Sequence, residues 1–386
     1  MFLECGYLGQ KERIPSTMRA SPWLRRQVQA MGCQLSDFTR DPDQERIILK
    51  GRKPEGRDGR GRQFAAPWID YVDTPETERM RSEMRELNSW LAEADIDCTL
   101  TGAGIDPIGD RDLRRVFNNG SWAEGGRLAG GFWSNMSMSP DKGQLWRGHI
   151  RIEGEPIVAL DFVAMFMRLL YVVAGVQPPS GDLLAGIEGL GPEHRIGVKR
   201  IVYSMLFQEG ELTRCPRGAR PFLPKGSHIK SLVRSIKKRH DPVADLFGTG
   251  MGMRLFRLES NILLEVLRQC RAAGFVALPV HDAILVAESR AEAAREAMLA
   301  GFESVTGFRG EVGEPKRPEA GAAELETMPM PDEVRNLEDD PHELKRVEEL
   351  MRLDERDLAE RYASEFMERQ QLDGAMLAPD AEADWI

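Results

Sequence analysis

No apolar run in this 386-residue chain reaches the length of a membrane span, and the N-terminal stretch lacks the apolar core of a signal peptide. The expectation is therefore a protein with no membrane partner. Cysteine is scarce. Cys5, Cys33, Cys98, Cys215 and Cys270 are scattered, with no CxxC or CxxH spacing. A disulfide framework or a structural zinc site needs paired, closely spaced ligands, so the reading is a reduced, cytoplasmic chain without zinc. No internal repeat is apparent.

A hydrophobic content of 41% supports a substantial core, enough for one large domain or two ordinary ones. The net charge of −10 is unevenly spread. Residues 311–386 hold 23 acidic and 9 basic side chains, leaving 39 acidic and 43 basic in residues 1–310. A mildly basic body with an acidic tail suits a nucleic-acid enzyme better than the whole-chain balance suggests. The tail serves either that purpose or solubility alone. The Arg/Gly run from Lys50 to Arg62 reads either as a mobile arm tracking phosphates or as an exposed linker.

Thr74-Pro75 starts a helix with the apolar stripe Met80, Met84, Leu87 and Leu91. Residues 117–131 are Gly-rich, and Ile150 to Asp161 reads as two strand segments broken at Gly154-Glu-Pro156. Helices are expected over 163–174, 193–208, 255–273 and 289–303, and Val276 to Val286 reads as a hairpin with His281-Asp282 at its turn. Strands interleaved with long helices indicate an α+β or α/β layout.

Three segments carry chemistry. Asp161 and Asp282 each end an apolar, strand-like run, and between them Arg195, Lys199, Tyr203 and Phe207 recur every four positions. Two convergent carboxylates suit a pair of divalent ions, and a helix face with Arg and Lys suits a triphosphate. Singly, each has a plainer reading: a turn or cap aspartate, or a solvated helix face with an aromatic core stripe.

Together the segments resemble motifs A, B and C of the family A DNA polymerases and their single-subunit RNA polymerase relatives. Motif A is matched by Asp161, Phe162 and Arg168, motif B by Arg195, Lys199, Tyr203 and Phe207, and motif C by His281-Asp282. Gly126-Arg127-Leu128 resembles the element that precedes motif A and touches the primer-template, and Phe308 to Val312 resembles the closing palm strand. The likeness covers residues 110 to 316. It implies an α+β right-hand polymerase fold: a basic N-terminal arm at 1–72, a reduced thumb at 73–110, palm at 111–175 and 255–316, fingers at 176–254, and an acidic tail at 317–386.

The resemblance also implies roles. Asp161, Asp282 and the Phe162 carbonyl would hold two Mg²⁺ (or Mn²⁺) ions. Arg195 and Lys199 would grip the phosphates, with Lys199 able to protonate the pyrophosphate. Tyr203 would stack on sugar and base, Phe207 would support the templating pair, and Phe166 would stand near the sugar. Arg127, Arg168, His281, Glu259, Arg234 and Lys238 would contact or orient primer and template, with Arg168 orienting either the palm or the primer end. Departures are Ala283 and Phe166 where DNA polymerases usually have Glu, and Gln208 where Gly generally follows motif B.

The implied activity is template-directed DNA synthesis on a DNA primer-template with dNTPs, without an exonuclease domain, with replication accessory proteins as partners and a bacterial, phage or mobile-element source. The alternatives are a primase or single-subunit RNA polymerase, and a non-catalytic nucleic-acid-binding protein on the same fold.

Overall fold

Three tight turns frame the structure, and each contains a non-glycine residue in left-handed backbone. Asn119 (φ 57°) with Gly120, Glu153 (φ 53°) with Gly154, and His281 (φ 57°) each begin a two-residue loop between antiparallel strands. Favoured two-residue hairpin turns need a positive φ at the first loop position. The computed structural model describes residues 44–54, 56, 64–100, 107–136, 138 and 147–318, with residues 30–32 and two short strands, β1 (Leu3–Gly6) and β2 (Thr17–Ala20). The acidic tail beyond residue 318, and residues 55 and 57–62 of the basic run, lie outside the described residues. The chain divides into two units, Met1–Lys53 with Ala65–Ala323, and Pro54–Phe64 with Glu324–Ile386. Every element below belongs to the first.

The helix expected at Thr74 is α1 (Pro75–Glu93). Thr74 and Thr77 cap each other reciprocally, Pro75 fixes the first turn, and Met80, Met84, Leu87 and Leu91 are buried. Asn88 on the same side bonds both backbone groups of Leu113 at 2.9 Å. The Arg111 guanidinium closes the helix end, donating to the carbonyls of Leu91, Ala92 and Ala94. The helix expected as a reduced thumb thus packs on a three-stranded sheet: β3 (Ile47–Leu49) parallel to β5 (Leu113–Asn118), and β5 antiparallel to β6 (Ser121–Gly130).

The second sheet has five strands in the order β4 (Ile96–Cys98), β7 (Ile150–Ile152), β8 (Glu155–Asp161), β10 (Ala283–Ala287), β9 (Ala277–Val280), all antiparallel. β8 and β10 are buried over Ile157–Leu160 and Ile284–Ala287, as expected of a central pair. Helices α2 (Met165–Val173), α3 (Arg195–Phe207), α4 (Ile229–Arg239), α5 (Gly252–Ala272) and α6 (Ala291–Thr306) complete the architecture. α5 contacts β6, α2 and α6. At the α5–α6 crossing Gly301 lets the helices touch: a Cβ there would come within 2.7 Å of Val266. Helix α2 is buried from Met165 to Tyr171, which explains its almost unbroken apolar sequence.

The 176–254 segment is fastened to α2 by a neutral polar bridge. Tyr171 Oη and His240 Nδ1 are 3.0 Å apart, and His240 Nε2 lies 2.9 Å from the Leu183 carbonyl. Burial pulls the His240 pKa down to about 4, so the ring is neutral at physiological pH.

Candidate functional site

Asp161 ends β8 and sits opposite Ala283, the first residue of β10. Asp282 immediately precedes Ala283 in the hairpin turn, so antiparallel pairing brings both carboxylates to one end of the sheet. Each is followed or preceded by strained backbone: Ala164 (φ 49°) turns β8 into α2, and His281 (φ 57°) opens the hairpin loop. Left-handed non-glycine residues cost energy and cluster at functional sites. Asp161 is solvent-accessible, yet the protein crowding its carboxyl, and secondly the Asp282 carboxylate, push it up to about 7. Lys316, Lys199 and the Phe162 N–H oppose that rise.

Beyond Asp161 the chain pairs with residues 311–316. Val163 N–H bonds the Glu311 carbonyl (2.9 Å) and Gly313 N–H bonds the Asp161 carbonyl (2.8 Å), flanking a Phe162–Val312 pair. That pattern turns the Phe162 backbone groups toward the other edge, where Asp282 lies. The Phe162 ring is buried against Phe302.

Helix α3 forms the facing wall. Arg195, Lys199 and Tyr203 line one cleft of about 330 Å³ with Asp161, Phe162, Phe166 and Asp282. Arg195, about half exposed, is tethered to Asp182 at 2.5 Å. The Lys199 ammonium lies 5.4 Å from the centroid of the Tyr203 ring. Burial, then Asp282, raises the Tyr203 phenol, which stays protonated. Gly197 allows α3 to approach the 222–223 backbone, since a Cβ would meet the Phe222 carbonyl at 2.7 Å.

Phe166 lines this cleft but is buried, its ring touching those of Tyr203 (5.1 Å), Phe207 (6.0 Å) and Phe256 (5.1 Å). It packs beneath Tyr203 rather than standing free beside a ligand. Arg127 covers the cluster, 3.9 Å from the Phe256 centroid, and forks onto Glu259 at 3.0 and 2.9 Å. Glu259 is fully buried. Its surroundings push it up to about 7, against the opposing pull of Arg127. His281 is exposed at the hairpin tip, with its pKa lowered by crowding and then by Arg127.

Arg168 has no freedom to reach a primer. It is buried and donates to the carbonyls of Val163, Pro179 and Gly181 and to Glu311 at 2.6 Å. Its role is to brace the β8–α2 elbow. Arg234 and Lys238 on α4 are exposed and do not line the cleft, and Lys238 pairs with Glu188 at 2.8 Å.

The carboxylate pair fits hard divalent cations. Two like charges at one end of the sheet, beside a turned backbone carbonyl, form an oxygen set with a deficit of positive charge. Among the described residues no group of three or more His, Cys, Asp or Glu gathers as a closed metal cage. Remaining ligands would come from water and substrate.

No family model matches the chain, and no curated protein matches it. Among solved structures it is similar to the POL domain of Pol1 from M. smegmatis, in complex with DNA primer-template and dNTP, at 13% identity and a TM-score of 0.38. The match covers 63% of this chain and 52% of that one, so the chain spans about half the length of that neighbour. At that score a common fold is not established.

Four site residues carried no sequence signal of their own: Asp182, which tethers Arg195; Phe256, which supports Arg127; and Glu314 and Lys316, which line the cleft from the segment beside β8. Only the resemblance of 308–312 to a closing strand pointed near the last two.

Proposed function

We propose that this protein is a nucleotidyltransferase, and specifically a template-directed DNA polymerase that extends a primer with dNTPs. The observation that carries the reading is the meeting of Asp161 and Asp282 across a 330 Å³ cleft from Arg195, Lys199 and Tyr203. Two carboxylates beside two cations and an aromatic ring suit a nucleoside triphosphate with its counter-ions. Asp161, Asp282 and the Phe162 carbonyl would hold Mg²⁺ or Mn²⁺, which when bound supplies charge neutralisation at the phosphates and a more acidic primer hydroxyl.

The chain's own residues do the rest. Arg195 exchanges Asp182 for phosphate oxygens, and its exposure makes that exchange inexpensive. Lys199 sits one turn further along α3, over the inner phosphates, where it stabilises developing charge and delivers a proton to the leaving group. Tyr203, underpinned by Phe166 and Phe207, offers a flat face for the sugar and base. Arg127, held by Glu259 and Phe256, presents a fixed cation for the primer-template.

The deciding experiment is extension of a labelled primer-template, and of template alone, with dNTPs or NTPs and Mg²⁺ or Mn²⁺. Primer-dependent dNTP incorporation is expected. Preference for NTPs, or synthesis on template alone, would replace DNA polymerase by primase or RNA polymerase. No incorporation under any condition would leave a binding protein.

A further inference from the structure

Residues 311–316 run along the edge of β8 that β7 leaves after Pro156. Val312 pairs with Phe162, and Lys316 pairs with Ala159. The walk from Phe162 to Ala159 takes three steps on β8 and four on its partner, so the partner carries one extra residue, a β-bulge.

That bulge decides which way Lys316 faces. Cross-strand partners share a face, as do residues two apart on one strand. Opposite Ala159, Lys316 lies on the face of Asp161. In a regular ladder running on from the Phe162–Val312 pair, Pro315 would oppose Ala159, and Lys316 would oppose Val158 on the opposite face. The register is anchored, because Ala159 and Lys316 exchange both backbone hydrogen bonds at 2.8 and 2.9 Å.

The flanking charges are engaged elsewhere: Glu314 with Arg295 at 3.4 Å, and Arg317 with Glu288. Lys316 is exposed, lines the cleft, and among the described residues forms no ion pair within 4.0 Å. Its charge reaches the Asp161 carboxylate. Across the sheet the order is Asp282, Asp161, Lys316, with Arg195 and Lys199 facing them from α3. A phosphate chain held at the carboxylates and gripped by α3 therefore meets Lys316 on the side away from Asp282.

We propose that Lys316 is a third phosphate-gripping residue, taking the terminal phosphates of a bound nucleoside triphosphate. The inference rests on the nucleotidyl-transfer reading above, and it adds a residue from a strand edge that a one-residue bulge turns into the cleft. The same chemistry would serve a phosphate of the primer, so the test separates the two.

Magnesium tripolyphosphate binding, measured by titration calorimetry, needs no polymerase activity. Lys316→Ala should bind about tenfold more weakly than the wild type, and Lys316→Arg within about twofold of it. Primer-template affinity, followed by fluorescence anisotropy, should not change in Lys316→Ala. Equal tripolyphosphate affinity in wild type and Lys316→Ala, or no binding to the wild type, overturns the inference. So does a loss confined to primer-template affinity, which would assign Lys316 to nucleic acid. If the wild type extends no primer but Lys316→Ala loses tripolyphosphate affinity, the polymerase reading fails and the phosphate site stands.

Discussion

Beneath the cleft and at its lip stand two arginine–carboxylate pairs with opposite characters. Below, Arg168 is 1% exposed, and its guanidinium is divided among three carbonyls and Glu311. At the lip, Arg195 is 46% exposed and, among the described residues, held by Asp182 alone. The chemistry is the same, but the commitment differs. A buried cation whose three nitrogens all donate cannot release a partner without leaving charge stranded in a poorly polarisable interior. An exposed cation loses little by exchanging one carboxylate for a phosphate. The lower region fixes the geometry of the β8–α2 elbow, and the upper region is free to bind.

The strongest way to break this contrast is at the lip's carboxylates. Asp161→Asn or Asp282→Asn should lower nucleotide incorporation by roughly 10³-fold or more, while primer-template affinity, which comes mostly from phosphate contacts, stays near wild type. Rapid-quench extension alongside anisotropy titration checks both halves, and near-normal extension by either variant would remove the metal assignment.

Below the cleft, Arg168→Ala should cost about 3–5 kcal/mol of folding stability, because it empties a buried site and leaves the Val163, Pro179 and Gly181 carbonyls without their donor. Arg195→Ala should leave the urea midpoint almost unchanged and raise the KM for dNTP instead. Equal midpoints for the two variants would erase the distinction between support and lip.

Lys199→Ala should slow incorporation on the order of 10²-fold with little change in primer-template affinity, since charge stabilisation and a proton source vanish together. An unchanged single-turnover rate would mean that α3 does not face the triphosphate.

The smallest effect concerns pH. In the metal-free protein the Asp161 carboxyl is raised to about 7, so between about pH 4 and 7 the folded state holds a proton that the unfolded chain has released. The contribution of this group to stability is therefore present at low pH and fades as pH rises toward 7. Metal binding needs the ionised pair, so magnesium affinity should rise over the same range and binding should release protons. Thermal melts with and without Mg²⁺ at pH 5.5 and 8 check this: the stabilisation by Mg²⁺ should be larger at pH 8.

Much of the site was legible because its residues belong to strongly patterned elements. The i, i+4 run from Arg195 to Phe207 is a helix with Arg195, Lys199 and Tyr203 on the cleft, and the apolar runs ending in Asp161 and Asp282 are strands β8 and β9 of one sheet, with β10 between them. The β5–β6 hairpin was read only as a Gly-rich stretch, although Asn119-Gly120 between β-prone residues is a strong local turn signal. Tertiary placement was not legible. Nothing local in Phe166 says that three aromatic rings will bury it, and nothing in Arg168 says that its donors will be used up by carbonyls distant in sequence. Lys316 was hidden for a different reason. Its direction depends on a register shift between strands, which no single segment encodes.

The strand order also bears on how the protein comes to fold. β8 lies between partners that are synthesised long after it: β10 on one edge, and residues 311–316 on the other. Until those emerge from the ribosome, an apolar strand from Ile157 to Leu160 has only β7 beside it and two largely open edges. Such pairings close large loops before they are rewarded and form slowly, and an unpaired apolar edge invites pairing with another chain. A nascent chain stalled before residue 311 would carry both carboxylates with one edge of β8 still unfilled, making it a candidate for chaperone capture.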